Sequence, residues 1–185
     1  MNFNRKTIAA TVFLAAASMS GAASAEMTKM VGGAAMYPSK NIIQNAVNSK
    51  DNTTLVAAVK AAGLVDTLQG PGPFTVFAPT NEAFAQLPPG TVETLLKPEN
   101  KGQLTTVLTY HVVPGHLTTA DLKNAVKEAG GQATFTTVQG EPLTITEKGR
   151  AFDITDSKGH TARITIADVL QSNGVIHVIN KVLMP

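Results

Sequence analysis

The chain has 185 residues, with 15 positive and 13 negative side chains and a pI near 8.9. Only 15% of residues are charged and 5% are aromatic, which argues against nucleic-acid binding, because that function needs clustered cations and aromatic platforms. The length fits one domain, and a hydrophobic fraction of 43% suffices for one packed core. The lack of cysteine excludes disulfides, a thiol nucleophile and a cysteine zinc site.

Residues 1–25 have the three-part layout of a cleaved secretory signal peptide. Arg5 and Lys6 form a positive start, an alanine-rich apolar run follows, and residues 23–25 read Ala-Ser-Ala, a small-x-small cleavage site. The apolar run is shorter than the roughly 20 residues that a membrane-spanning helix needs. We therefore expect cleavage before Glu26 and a protein that is periplasmic, secreted, or attached to a cell surface through its partners, without a transmembrane span. Without Arg5 and Lys6, 13 positive side chains face 13 negative ones, so the basic pI describes the precursor.

The first half of the remaining chain is predicted to be helical. Residues 26–40 show no sustained period and contain a Gly-Gly pair, so we expect a loosely ordered lead before a domain at 41–185. In that domain, apolar residues recur at helical spacing near 42–47, 55–62, 83–87, 91–96, 104–111 and 122–129. Thr80 or Asn81 can cap the third of these helices, and Thr118 and Asp121 have capping-box spacing before the last. A β-rich run at 74–78 is ended by Pro79.

Beyond Gly131 the apolar period changes from about 3.6 residues to 2, which marks the change from helices to strands. Alternating residues near 143–146, 152–155 and 162–166 predict half-buried antiparallel strands, and glycines separate them as in a series of hairpins. Residues 175–183 are apolar on both faces, which predicts a central strand. Early helices followed by late strands indicate an α+β fold with a mainly antiparallel sheet.

Three ordered motifs resemble those of the fasciclin domain family. The first block, residues 74–84, contains Thr75, Phe77, Pro79, Thr80, Asn81 and Phe84. The second block, residues 173–183, contains Asn173, Gly174, His177, Val178 and Asn180. Between them, Tyr110-His111 is similar to the family's tyrosine-histidine motif. The resemblance covers residues 41–185 and implies a fasciclin-like β-wedge of about seven mainly antiparallel strands with a cluster of short helices.

The resemblance also implies a noncatalytic cell-adhesion module that binds a cell-surface receptor or an extracellular-matrix protein, integrin-like by family analogy. In related domains, an aspartate-isoleucine pair shortly before the second block is implicated in integrin binding. This sequence has Asp168-Val169 at that position, followed by Leu170. Tyr110 and His111 are further candidate contacts, although a buried polar pair more commonly fixes local structure. The oligomeric state stays open.

Motifs for enzyme chemistry are not found in the sequence. The four histidines lack the spacing of a zinc-protease helix, and there is no nucleophile elbow, dinucleotide loop or P-loop. We therefore expect no catalytic residues, metal or cofactor, and no nucleic-acid partner. The alternative function is a periplasmic or secreted ligand- or glycan-binding domain, which would show a concave apolar pocket with converging polar groups. A hydrolase would need two titratable groups within hydrogen-bond reach in such a pocket.

Overall fold

The structure is a computed structural model that describes residues 27–185. The predicted signal peptide and its cleavage site lie outside the described residues. The strands are β1 (Lys29–Val31), β2 (Ala34–Met36), β3 (Phe74–Pro79), β4 (Val112–Pro114), β5 (Gln132–Thr136), β6 (Pro142–Lys148), β7 (Ala151–Thr155), β8 (Thr161–Gln171) and β9 (Gly174–Ile179). The helices are α1 (Ile42–Ala46), α2 (Thr53–Ala62), α3 (Val65–Gln69), α4 (Asn81–Ala85), α5 (Thr91–Leu95), α6 (Lys101–Tyr110) and α7 (Thr119–Glu128). Within residues 27–185, no helix is long and apolar enough to cross a bilayer.

Seven of the strands form one sheet in the order β4-β3-β9-β8-β7-β6-β5. Neighbouring strands are antiparallel except for β3 and β9, which are parallel. The two edges of the sheet approach each other, because Val138, which follows β5, donates its amide to the Val112 carbonyl in β4 at 2.7 Å. This architecture confirms the α+β prediction of about seven mainly antiparallel strands with short helices.

Strand β9 is buried at every position, as its two-sided apolar sequence predicts. Successive residues of a strand point to opposite faces, so Val178 enters the apolar cluster beneath α1 to α6, whereas Ile179 enters the cluster beneath α7. The start of β9 requires Gly174. A Cβ atom there would lie 1.9 Å from the Phe74 carbonyl oxygen of the parallel partner strand.

The six helices predicted from apolar spacing are confirmed. Of the two residues predicted as alternative caps of α4, one caps α4 and the other caps α2. Thr80 caps α4 by accepting a hydrogen bond from the Ala83 amide at 3.2 Å. Asn81 instead accepts from the Thr54 amide at 3.0 Å, and so caps the first turn of α2. The first motif block therefore joins β3 to two helices. The predicted capping box at Thr118 and Asp121 is present at the start of α7.

Residues 29–36 correct the prediction of a loosely ordered lead over 26–40. They form the β1–β2 hairpin, and Val31 and Met36 are buried in the larger apolar cluster. The Gly32-Gly33 pair has positive φ at both residues and makes the hairpin turn. Lys29 adds a hydrogen bond from its ammonium group to the Ala167 carbonyl of β8. The hairpin is thus packed on the domain.

Candidate functional site

The predicted contact Asp168 lies in an irregular part of β8. Ile166 pairs with Val178, and Val169 pairs with Ile176, so β8 has one more residue than β9 between these two pairs. This is a β-bulge, and Asp168 has the left-handed φ of +53° within it. The bulge turns the carboxylate toward the start of α7.

Both oxygens of the Asp168 carboxylate are hydrogen-bonded to Thr119, the first residue of α7. Oδ1 accepts from the Thr119 amide at 2.7 Å, and Oδ2 accepts from the Thr119 hydroxyl. Val169 is only 1% exposed, and Leu170 is partly buried. The Asp168-Val169-Leu170 segment therefore does not offer a carboxylate beside an exposed aliphatic side chain. For Val169 the prediction of a surface contact is wrong, because its side chain packs in the core.

The bulge is also supported from beneath by His177. The Asp168 amide donates to Nδ1 of His177 at 3.3 Å, and Nε2 of His177 donates to the Leu117 carbonyl at 2.8 Å. One nitrogen accepts and the other donates, so the ring is neutral. Burial lowers the pKa of His177, which keeps it neutral. The imidazole also stacks on Phe77 with 5.7 Å between the ring centroids.

Tyr110 and His111 lie in the interior. The Tyr110 hydroxyl donates to the Pro142 carbonyl at 3.0 Å and accepts from the Ser157 amide at 2.9 Å, and burial raises its pKa. His111 donates from Nδ1 to the Val107 carbonyl at 2.7 Å and accepts at Nε2 from the Leu183 amide at 3.0 Å. Burial lowers the pKa of His111 to about 4.

As surface contacts, Tyr110 and His111 are therefore wrong predictions, because side chains that are 0% and 2% exposed cannot touch a partner of the folded domain. Their role is structural. Tyr110 ties the end of α6 to the start of β6 and the loop after β7, and His111 ties it to the C-terminal segment.

Two further polar residues of the motif blocks, Thr75 and Asn173, are also buried, whereas Asn180 is exposed. Thr75 donates to the Gly115 carbonyl at 2.8 Å and accepts from the Leu117 amide at 2.9 Å. The Asn173 amide group donates to the carbonyls of Leu68 and Gly70 at 2.7 and 2.9 Å. These contacts close loops around β3 and β9. These motif residues thus hold parts of the fold together.

An apolar cavity of about 60 Å³ lies in the larger apolar cluster, between the helices and the sheet. Val31, Ile42, Val59 and Val76 are among its lining residues. Lining residues that retain exposed surface include Leu64, Thr67, Phe74 and Val138. Polar atoms do not converge in it. His111 also lines the cavity, but both of its ring nitrogens are already hydrogen-bonded to the backbone.

A second concavity, which sequence reasoning missed, is an open groove of about 700 Å³. It has three walls. One is α4 with the segment that follows it, the second is the β7–β8 turn, and the third is the chain after β9. We call it the α4 groove and define it by three apolar and three basic side chains: Leu87, Val182, Met184, Lys158, His160 and Lys181. These residues come from three separate segments of the chain and form no motif, so only the folded chain brings them together.

Among residues 27–185, no group of three or more histidine, cysteine, aspartate or glutamate side chains is placed to hold a metal ion. Asp156 and His160 are within hydrogen-bond reach, with 3.0 Å between Oδ2 and Nδ1. Asp156 also accepts from the backbone amides of Lys158, His160 and Met184. The Asp156 carboxylate therefore stabilises the β7–β8 turn through these hydrogen bonds.

Comparison with known proteins gives consistent matches. The family model described as "Fasciclin domain" matches residues 50–185. Protein sll1483 of Synechocystis is 45% identical over 162 residues, covering 86% of this chain and 82% of the relative. Immunogenic protein MPB70 of Mycobacterium bovis is 33% identical, covering 98% of this chain and 97% of the relative.

Longer proteins match over part of their length. Transforming growth factor-beta-induced protein ig-h3 of Sus scrofa is 39% identical over 131 residues, which are 71% of this chain and 17% of that protein. Among solved structures, a FAS1 domain pair from the insect cell adhesion molecule Fasciclin I superimposes with a TM-score of 0.72 and 18% identity. That match covers 80% of this chain and 52% of the other, and it shows the same fold.

Proposed function

The chain belongs to the fasciclin domain family, and from this premise we propose that it is an exported, noncatalytic adhesion module that binds a protein on a cell surface or in the extracellular matrix. The observation that carries the proposal is the family match over residues 50–185. A domain of the same fold occurs in a protein described as a cell adhesion molecule. Integrin-like receptors are the partners that family analogy suggests.

The internal polar contacts support a noncatalytic role. A general base needs a nitrogen or oxygen that can reach a substrate proton. His111 and His177 use both ring nitrogens in hydrogen bonds within the domain, and both are buried. Tyr110 is engaged in the same way. The residues that the motifs single out therefore stabilise the fold, and adhesion falls to the outer surface.

Export is supported by the pattern of residues 1–25, with cleavage before Glu26. An adhesion module must reach the outside of the cell, so the signal peptide and the proposed function agree. The mature chain would carry equal numbers of positive and negative side chains. Its partner would then be recognised by a local surface, since there is no net charge to attract it from a distance.

We assign Asp168 a positioning role within this module, because both oxygens of its carboxylate are held by Thr119. Direct engagement of a receptor-bound cation by Asp168 would require these two hydrogen bonds to break. In this role, the hydrogen bonds of Asp168 hold the bulge of β8 and the start of α7 in a fixed relative position.

The proposal is tested by coating a surface with the purified protein and counting attached cells, with an inert protein of equal size as the control. Attachment is measured in calcium, in magnesium, in manganese and in EDTA. We expect attachment above the control in at least one divalent cation. Attachment equal to the control in every condition contradicts the adhesion function.

A second candidate function, binding of a small apolar molecule, is favoured by the cavity of about 60 Å³. Dry apolar cavities in proteins accept xenon and small hydrocarbons. Ala78 lines the cavity from β3, so Ala78→Val adds two methyl groups that fill it. Xenon should shift the NMR signals of the lining methyl groups in the wild-type protein, and the shifts should shrink in the variant. Equal shifts in both proteins would contradict a site in this cavity.

A further inference from the structure

The walls of the α4 groove are tied together by hydrogen bonds, so its shape is fixed. Asp156 Oδ2 accepts from the Met184 amide at 3.0 Å and thereby fastens the chain after β9 to the β7–β8 turn. Gln86, which follows α4, donates from its side chain to the Asn180 carbonyl at 3.1 Å. All three walls are therefore connected, and a ligand meets a preformed site.

The ionisable side chains that line the groove are all basic. Lys158, His160 and Lys181 line it, and no aspartate or glutamate is among its lining residues. Lys158 and Lys181 form no salt bridge with another residue in the range 27–185. His160 is 62% exposed at its side chain, and its Nδ1 is held by Asp156, which fixes the direction of the ring.

The floor of the groove is apolar. Leu87, Val182 and Met184 line it, and Leu87 and Met184 are only partly buried. Their remaining exposed surface would be covered by an apolar side chain of a ligand, which gains free energy in proportion to the area removed from water. The groove thus combines a small apolar floor with two lysines that form no salt bridge within residues 27–185.

We infer that the α4 groove is a binding site for an acidic peptide segment of a partner protein, with carboxylates near Lys158 and Lys181 and an apolar side chain on the floor. This inference builds on the proposed adhesion function by naming the surface and the chemistry of the partner. Charge complementarity is the argument for the occupant, because lysines that line one concavity and form no salt bridge within the described range 27–185 favour an anionic ligand.

A peptide fits the groove better than an acidic polysaccharide does. Sugar rings are commonly bound against aromatic side chains, and no phenylalanine or tyrosine lines the groove. An apolar floor made of aliphatic and thioether side chains suits a leucine or methionine side chain of a peptide. The polysaccharide is accordingly the competing outcome in the experiment.

The test uses the purified protein and a fluorescein-labelled octapeptide with six aspartates around two leucines, measured by fluorescence anisotropy at low and physiological salt. Two matched peptides are measured beside it: one with lysines in place of the aspartates, and one with serines in place of the leucines. An oligogalacturonate serves as the carboxylated sugar and as a competitor. We expect saturable binding of the first peptide that weakens as salt rises.

Lys158→Glu combined with Lys181→Glu should weaken binding of this peptide on the order of 10-fold at low salt, because two attractions become repulsions. The control is Lys60→Glu combined with Lys127→Glu, two exposed lysines outside the groove with the same change in net charge. This control should bind almost as the wild-type protein does. Thermal melting followed by circular dichroism checks that both variants are folded.

Several results would overturn the inference. Equal weakening in both double variants would show an effect of net charge and not of the groove. Binding of the serine peptide as tightly as the leucine peptide would show that the floor is not used. Displacement of the peptide by oligogalacturonate at equal or lower concentration would assign the groove to an acidic polysaccharide. An absence of saturable peptide binding would remove the site altogether.

Cell attachment by the same variants separates this inference from the adhesion proposal. Loss of attachment in the groove variant alone supports both. Full attachment by a groove variant that no longer binds the peptide would leave adhesion standing and exclude the groove as its surface. Peptide binding by a wild-type protein that attaches no cells would contradict adhesion while supporting the groove.

Discussion

At the scale of single residues, the two tyrosines of the chain differ in what their hydroxyl groups do. The Tyr110 hydroxyl bridges the Pro142 carbonyl and the Ser157 amide inside the domain. Tyr37 is 38% exposed, and no hydrogen bond of its hydroxyl is seen within residues 27–185. The pair therefore offers an internal comparison of one chemical change, the loss of a phenol oxygen, in two environments.

Tyr110→Phe should lower the free energy of unfolding by about 1–3 kcal/mol, because it removes two hydrogen bonds, to the Pro142 carbonyl and from the Ser157 amide. Tyr37→Phe should change the stability by less than about 0.5 kcal/mol, as is usual for surface substitutions. Urea denaturation followed by circular dichroism measures both. Equal effects of the two substitutions would contradict the bridging role of Tyr110.

At the scale of elements, Asp168 joins the bulge of β8 to the first turn of α7. The first amides of a helix have no partner within the helix, and Asp168 supplies one for Thr119. Asparagine also tolerates a left-handed φ and keeps one accepting oxygen, whereas alanine does neither. Asp168→Asn therefore removes only the negative charge and one accepting oxygen. Asp168→Ala removes both accepting oxygens and also the tolerance for the left-handed φ.

Asp168→Ala should cost about 1–3 kcal/mol of stability, and Asp168→Asn should cost clearly less. Both variants, once folded, should attach cells as well as the wild-type protein does in the coating assay. Urea denaturation and cell attachment are measured on the same preparations. If Asp168→Ala kept full stability and lost attachment, Asp168 would be a contact residue and the positioning role would be wrong.

The elements also show how far sequence reasoning reaches. The longer helices and strands β6 to β9 carry enough residues for a clear apolar period, and they are predicted from the sequence. Strands β1 and β2 have three residues each, which is too short to show a period. In addition, a Gly-Gly pair such as Gly32-Gly33 is compatible with a hairpin turn and with a flexible loop, so the sequence does not distinguish the two.

The candidate site is harder to predict than the fold, because burial depends on contacts that are distant in sequence. The residue types of Tyr110-His111 and Asp168-Val169 are compatible with a surface or with the interior. Whether these residues are buried is decided by partners that are distant in sequence. Leu183 lies 72 positions after His111, and Thr119 lies 49 positions before Asp168. The α4 groove is likewise assembled from three separate segments of ordinary residues.

At the scale of the whole molecule, two buried neutral histidines make stability depend on pH. Burial lowers the pKa of His111 to about 4 and also lowers that of His177, while the unfolded chain has a histidine pKa of about 6.5. The unfolded state therefore binds more protons below about pH 6.5, and stability falls as the pH decreases from 6.5 toward 4. The neighbouring Asp156 raises the pKa of His111, but burial outweighs it.

The carboxylates lose their contribution only at more acidic pH. The hydrogen bond from Arg163 lowers the pKa of Asp153, and those from Thr118 lower that of Asp121. Their stabilising effect is present above the unfolded value of 3.8 and is lost as the pH falls below it. The interval between about pH 6.5 and 4 thus reports mainly on the histidines.

His111 alone should account for a loss of about 3 kcal/mol between pH 7 and pH 4, since a pKa difference of one unit corresponds to about 1.4 kcal/mol. Urea denaturation at several pH values in this interval gives the slope. His111→Asn keeps a donor for the Val107 carbonyl but does not titrate, so the variant should be less stable at pH 7 and show a shallower slope. Tyr110→Phe should be destabilised while keeping the wild-type slope, because it weakens the same region without removing a group that titrates there. Parallel slopes in all three proteins would mean that His111 does not control the response to acid.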